Sequence, residues 1–306
     1  MRVVITGGSG LIGRSLSREL ANAGCEVIVL SRRASQIRES FEPHARTVHW
    51  DALTSNGWLK FAENAAIVNL AGENIGSGRW TPEKKYRIVR SRLNAANAVV
   101  EAVNKTSKKP TVIIQASGIG YYGHRGDEVL DENSSGGTGF LADIAEQWEQ
   151  AIQPVCNSNL RCVIIRIAPV LASDGGFMAR VLPPFRMFLG GHPGPGIQWF
   201  PWIHIEDLTA AIHFLIEDRN LTGVFNLTSP NPVLAKDFYD TVGKIMKRPA
   251  ICPMPAFILK VLLGEMATEL LLSGQKALPA RLISAGYKFK YPDAESALQD
   301  IITKIG

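Results

Sequence analysis

The chain has 306 residues, 46% of them apolar and 20% charged, with 33 Lys and Arg against 28 Asp and Glu for a net charge of +5. That length buries one sizeable core or two unequal ones, and the composition excludes a disordered, collagen-like or repeat architecture. The basic residues fall in scattered pairs such as Arg32-Arg33, Lys84-Lys85 and Lys108-Lys109. No basic stripe forms, which speaks against nucleic acid and leaves a surplus suited to a phosphate-bearing small molecule.

Met1-Arg2 leads directly into Val3-Val4-Ile5, and the most apolar stretch, Ala256 to Leu263, is interrupted by Lys260. The expectation is a cytoplasmic protein that does not span a membrane. Cys25, Cys156, Cys162 and Cys252 lie far apart with no Cys-x-x-Cys spacing and read as reduced core thiols. Val3–Ile5, Val27–Leu30, Val48–Trp50, Ile67–Leu70, Val112–Ile114 and Val163–Ile165 read as strands, with helical patterns between most of them. Continuous apolar strands separated by helices predict an α/β fold, a doubly wound parallel sheet covered on both faces. A helix near Ala210–Ile216 and a strand near Val224–Leu227 return to that sheet, so the main domain runs over 1–230. The Pro- and Gly-rich run from Pro183 to Gly196 breaks the alternation. Residues from about 171 to 204 are therefore expected to line a cleft, closed by a small, mostly helical C-terminal lobe over about 250–300.

Val3-Val4-Ile5-Thr6-Gly7-Gly8-Ser9-Gly10-Leu11-Ile12-Gly13 spaces three glycines between an apolar strand and a helix that runs to Leu20. Gly7 permits the tight turn, Gly10 admits a pyrophosphate to backbone N–H groups, and Gly13 lets the helix pack closely on the strand. The helix N-terminus, opened by Leu11 and Ile12, faces the negative charge. At the first strand-to-helix junction of a βαβ unit, this predicts dinucleotide binding. The second strand ends Val29-Leu30-Ser31-Arg32-Arg33, about twenty residues on, where an NAD site keeps an acid for the ribose. No acid stands there, and arginine offers a planar fork of donors to a 2′-phosphate, so the expected cofactor is NADP(H). The plainer alternative for Arg32 and Arg33 is solvated loop charge.

Thr6–Gly13 and Asn69-Leu70-Ala71-Gly72 resemble the short-chain dehydrogenase/reductase superfamily in its extended, epimerase-like form. Gly72-Glu73-Asn74-Ile75, Arg79-Trp80-Thr81, Ser91-Arg92-Leu93, Tyr121-Tyr122-Gly123, Phe200–His204 and Leu272–Pro279 narrow the resemblance to its atypical "epimerase family" group. It covers nearly the whole chain. It implies an NADP(H)-binding Rossmann domain with a small C-terminal domain, and places the cofactor against the glycine loop, Ser31-Arg32, the backbone of Leu70-Ala71-Gly72, Glu73 and Arg92. It brings no substrate.

Competent members of that superfamily carry a serine after the fifth strand and a Tyr-x-x-x-Lys one helix later, whose lysine lowers the tyrosine pKa for proton exchange. Ser117, after Val112–Ala116, matches the serine. The expected helix, Phe140 to Glu149, holds neither tyrosine nor lysine, and no lysine occurs between Lys109 and Lys236. The usual proton-transfer machinery is absent. Tyr121 and Tyr122 are the nearest phenols, followed by His124 and Arg125, and either assemble a substitute acid or merely shape the pocket by packing.

Other candidates read as structural. His204 sits among apolar and aromatic neighbours, His44 and His49 lack metal-ligand partners, and Glu146 and Glu149 read as the polar face of a helix. No metal site is expected. Arg79, Arg87, Arg90 and Arg92 either grip phosphates or an anionic substrate, or are surface charge. Two functions follow: an oxidoreductase or epimerase acting on a small polar substrate, or a non-catalytic NADP(H)-binding sensor that lacks Tyr-x-x-x-Lys. No feature supports a fold kept purely for cell-division interactions.

Overall fold

The computed structural model describes residues 1–305. Seven parallel strands form the central sheet: β1 (Arg2–Thr6), β2 (Glu26–Ser31), β3 (Arg46–His49), β4 (Ala66–Asn69), β5 (Val112–Gly118), β6 (Cys162–Ile167) and β7 (Gly223–Leu227). Their spatial order is β3-β2-β1-β4-β5-β6-β7. The order reverses beside β1, and the crevice outside the carboxyl ends of the strands at that switch is where doubly wound sheets take ligands.

Alternation along each strand divides the core between two faces. Val3, Ile5, Val29, Ile114 and Ile165 point to one side, against Leu16 and Leu20 of α1 (Leu11–Asn22). Val4, Ile28, Ile67, Ile113 and Ile164 point to the other, against Ala95, Val99 and Ala102. Those three lie on α3 (Pro82–Lys105), which follows the short α2 (Ala34–Phe41). α3 begins sharply because Thr81 accepts from the N–H of Lys84, Pro82 needs no N–H partner in the first turn, and Glu83 meets the positive end of the helix dipole. α4 (Phe140–Cys156) packs beside α3, and α5 (Ile205–Glu217) packs beside α1.

The C-terminal region is mostly helical, as expected, with α6 (Ala235–Met246), α7 (Ala256–Leu263) and α8 (Ala294–Ile305). Its core joins Phe238 and Val242 of α6 to Ala297, Leu298 and Ile301 of α8 around the fully buried Trp202. Short ribbons tie this region to the sheet domain, among them Lys276–Ala277 running parallel to Val129–Leu130. Among the described residues no helix is long and apolar enough to cross a membrane.

The cysteines depart from expectation. Cys156 and Cys162 are joined as a disulfide across the turn from α4 to β6, and Cys252 is exposed. The turn brings the end of one element beside the start of the next, a proximity that separation along the chain did not reveal.

Candidate functional site

The glycine loop has the geometry that the spacing predicted. Gly7 adopts φ +65°, and a Cβ there would lie 2.8 Å from the carbonyl of Leu70 and the nitrogen of Ala71. A Cβ on Gly13 would lie 2.4 Å from Cα of Gly8, so only glycine lets α1 sit this close to the turn. Gly10 caps α1 in an extended conformation, with no side chain taking up the first-turn N–H groups and no acid in that turn. Those donors are left for an external anion. Leu11 and Ile12 are half-buried, and Leu11 packs against Gly176, which brings the 175–176 turn beside the cradle.

Beneath the cradle runs a buried polar chain. Thr6 Oγ1 donates to Asn69 Oδ1 at 2.5 Å and accepts from the N–H of Ala71 at 3.3 Å, and Asn69 Nδ2 donates to Gln115 Oε1 at 2.8 Å. This chain fixes the Leu70-Ala71-Gly72 backbone across β1, β4 and β5. At the end of β2, Ser31 is buried and its hydroxyl accepts from the N–H of Arg33, while the side chains of Arg32 and Arg33 are exposed.

Glu73 is already engaged. Its carboxylate accepts from Lys84 Nζ at 2.7 Å, and Arg87 stands 4.0 Å away. The hydrogen bond and charge of Lys84, reinforced by Arg87 and Arg32, hold the Glu73 carboxyl below the usual carboxylate range. Arg92 lies under Gly72, donating through Nη1 to the carbonyls of Glu73 and Ile88 with its guanidinium 4.9 Å from the Trp148 ring. Burial lowers its pKa to about 10, which leaves it cationic near neutrality. The expected arginine cluster is dispersed: Arg79 lies against Gly264, Arg87 and Arg90 are exposed, and Lys84, not singled out from sequence, is buried beside Glu73.

At the carboxyl ends of β5 and β6 the structure corrects one reading outright. Glu149 is not on the polar face of its helix; it is 8% exposed and faces the sheet. Its Oε1 accepts from Ser117 Oγ at 2.7 Å and from Arg166 Nε at 2.9 Å, and its Oε2 accepts from Arg166 Nη2 at 2.9 Å. Burial alone would lower the Arg166 pKa, but the hydrogen bonds and charge of Glu149 outweigh it and push the guanidinium up. Arg166 Nη1 continues to the hydroxyl of Tyr122 at 3.0 Å, which in turn donates to Asn226 Oδ1 at 2.8 Å.

The two tyrosines thus part company. Tyr122 is fully buried, a strut of the core whose hydroxyl is occupied on both sides, and burial raises its pKa. It is removed from the proton-handling candidates. Tyr121 is half-buried, with the Arg166 guanidinium 3.4 Å from its ring centroid. Glu149, Arg166 and Asn226 were not picked out from sequence. The available signal was Arg166 itself: one charge inside Val163-Ile164-Ile165-Arg166-Ile167, where a strand buried on both faces obliges a partner.

The histidines are placed as structural. His204 is buried, its Nδ1 accepts from the N–H of Glu206 to cap α5, and its Nε2 lies 3.1 Å from Asp300. His44 and His49 are exposed, and among the described residues no group of three or more His, Cys, Asp or Glu is arranged to hold a metal ion.

Comparison with known proteins covers both parts of the chain. Residues 3–227 match the NAD dependent epimerase/dehydratase family and residues 254–301 match a domain of unknown function, DUF1731. The chain is 39% identical over 305 residues to the chloroplastic "Epimerase family protein SDR39U1 homolog" of Arabidopsis thaliana, covering 99% of this chain and 87% of that protein. It is 35% identical to "Epimerase family protein YfhF" of Bacillus subtilis, covering 99% and 98% of the two chains. The crystal structure of human epimerase family protein SDR39U1 with NADPH superposes with a TM-score of 0.87 at 31% identity over 99% of each chain. The glycine cradle, the strand order and this end-to-end match together show that the chain belongs to the NAD dependent epimerase/dehydratase family, among the SDR39U1-like epimerase family proteins.

Proposed function

We propose that the chain is an NADP(H)-dependent oxidoreductase or epimerase acting on a small polar substrate. One observation carries the reading: an uncapped, glycine-lined helix start on β1, with Arg32 and Arg33 exposed just past the end of β2 and no acid at that position. The residues fit the cofactor, since Gly10 places no side chain between a pyrophosphate and the uncapped first-turn N–H groups of α1. Leu11 and Ile12 would hold the pyrophosphate through their N–H groups, and Arg32 and Arg33 would take the 2′-phosphate. Leu70, Ala71, Gly72, Glu73 and Arg92 would flank the adenosine ribose. The human relative's structure contains NADPH. A bound nicotinamide supplies or accepts hydride. The chain supplies position and a proton, with Ser117 and Tyr121 as the hydroxyls at the reacting end.

The missing Tyr-x-x-x-Lys favours a second reading, a non-catalytic sensor of NADP(H). Thermal shift and turnover separate them. NADPH is expected to raise Tm well above the shift given by NADH, since a ligand at one hundred times its Kd stabilises by about 2.7 kcal/mol. Equal shifts would overturn the role of Arg32 and Arg33. NADPH oxidation across a panel of carbonyls and nucleotide sugars, followed at the reduced-nicotinamide absorbance, is expected to find an acceptor. Complete inertness over that panel would leave the sensor.

A further inference from the structure

The carboxyl ends of β5 and β6 hold an ion pair that the apolar core does not require. Ser117, Glu149 and Arg166 are 4%, 8% and 4% exposed. Burying two charges gains little over well-packed apolar side chains of the same size, because desolvation cancels most of the attraction. Yet this pair is complete: two parallel N–H···O bonds fix the carboxylate on Arg166, and its Oε1 takes a further hydrogen bond from Ser117. Ser117 and Arg166 are direct neighbours in the parallel ladder, each one residue before the end of its strand at the crevice. Tyr121 has no such follow-on. Among the described residues its hydroxyl has no hydrogen-bond partner, so no protein group continues a path from it.

We propose that Ser117 and Glu149 form the proton relay of this site, in place of the absent Tyr-x-x-x-Lys, with Arg166 as the positioning residue that fixes the carboxylate; this rests on the oxidoreductase reading above. In the oxidative direction the substrate O–H bond breaks as its proton passes to Ser117 Oγ, and the serine's own proton passes to Glu149. The substrate carbon becomes a carbonyl as its hydrogen leaves with the electron pair, as hydride, to oxidised nicotinamide. Reduction runs the same path backwards: Ser117 delivers its proton to the carbonyl oxygen as hydride arrives at carbon, and the serine is reprotonated through Glu149. The arrangement suits a secondary alcohol or ketone whose oxygen reaches Ser117.

The test uses the full chain with 9,10-phenanthrenequinone as carbonyl probe, NADPH oxidation under single-turnover conditions, and NADPH affinity by fluorescence. Glu149→Gln, which preserves shape, is expected to slow the hydride step about a hundredfold or more while NADPH affinity stays within about twofold. Ser117→Ala is expected to do the same with the Glu149–Arg166 pair intact, and it carries the test alone should Glu149→Gln not fold. Arg166→Lys, which keeps charge but not the fork, is expected to fall between. Infrared spectroscopy of the cofactor-free protein provides a readout independent of turnover: the carboxylate band that Glu149→Gln removes should shift in Ser117→Ala, and an unmoved band overturns the relay. A wild type that oxidises NADPH no faster than Glu149→Gln does, or a larger loss from Tyr121→Phe than from Glu149→Gln, overturns the relay and leaves the oxidoreductase reading standing. A wild type that binds NADPH but reduces no carbonyl overturns both.

Discussion

A buried charge and a glycine without room for a methyl group are read most sharply by substitution. Gly13→Ala drives a Cβ to within 2.4 Å of Gly8 Cα, so α1 must move off β1. The expected cost is about 1–3 kcal/mol in a urea titration, with the NADPH-induced rise in Tm lost. Glu149 and Arg166 call for a double-mutant cycle. Glu149→Met or Arg166→Leu alone leaves an uncompensated buried charge and is expected to cost about 3–5 kcal/mol, while the double variant recovers most of that loss. Recovered stability without recovered turnover would assign the pair to chemistry; recovery of both would assign it to packing. At this scale the sequence was legible where a residue's conformation forces its identity. Gly7, Gly10 and Gly13 could be read because few other residues serve there. Glu149 was misread because helical spacing says which residues share a face but not which face meets a polar patch of the sheet.

Most strands were legible to within two residues, since the apolar runs of the sheet follow from burial on both faces, although β5 runs on from Ile114 to Gly118. Helix ends were less so. α5 starts where His204 caps it, and the ring that caps it also packs against Tyr291 at 3.9 Å. Burial lowers the His204 pKa, against the opposing pull of Glu206, Asp300 and Asp207. The sign follows: a histidine whose folded pKa lies below its unfolded value binds its proton more readily when unfolded, so acidification favours unfolding. Stability from this group is complete above about pH 6.5, the ordinary imidazole value, and declines as pH falls below it. Tm is therefore expected to drop as pH falls below about 6.5, and His204→Asn, which can still cap α5, should flatten that slope. An unchanged slope in the variant would move the acid sensitivity elsewhere. At lower pH protonation of Asp300, which takes hydrogen bonds from Lys304 and Tyr291, adds a separate loss.

For the whole molecule, the sequence marked two regions of different texture, and the two family matches cover residues 3–227 and 254–301. The packing does not separate them. Leu171, Trp202 and Phe238 share one core with Leu298 and Ile301 of α8. Polar ties cross the same boundary. Asp207 accepts from the N–H groups of Lys290 at 2.7 Å and Tyr291 at 2.8 Å, and Arg281 donates to the carbonyls of Val224 at 2.7 Å and Thr222 at 2.8 Å. Glu269 accepts from the N–H of Leu141 at 3.3 Å, so the C-terminal region also caps α4, the helix that carries Glu149. None of this was legible beforehand, because contacts between distant segments leave no periodic trace in either one. Removing the residues beyond 253 would uncover Trp202 and Phe238 and leave the start of α4 without the Glu269 carboxylate. One cooperative calorimetric transition is therefore expected for the full chain, with equal calorimetric and van't Hoff enthalpies. A chain ending at residue 253 is expected to aggregate or to lack a cooperative transition. If that shorter chain melts cooperatively and still gains stability from NADPH, the sheet domain is autonomous and the C-terminal region serves only the cleft.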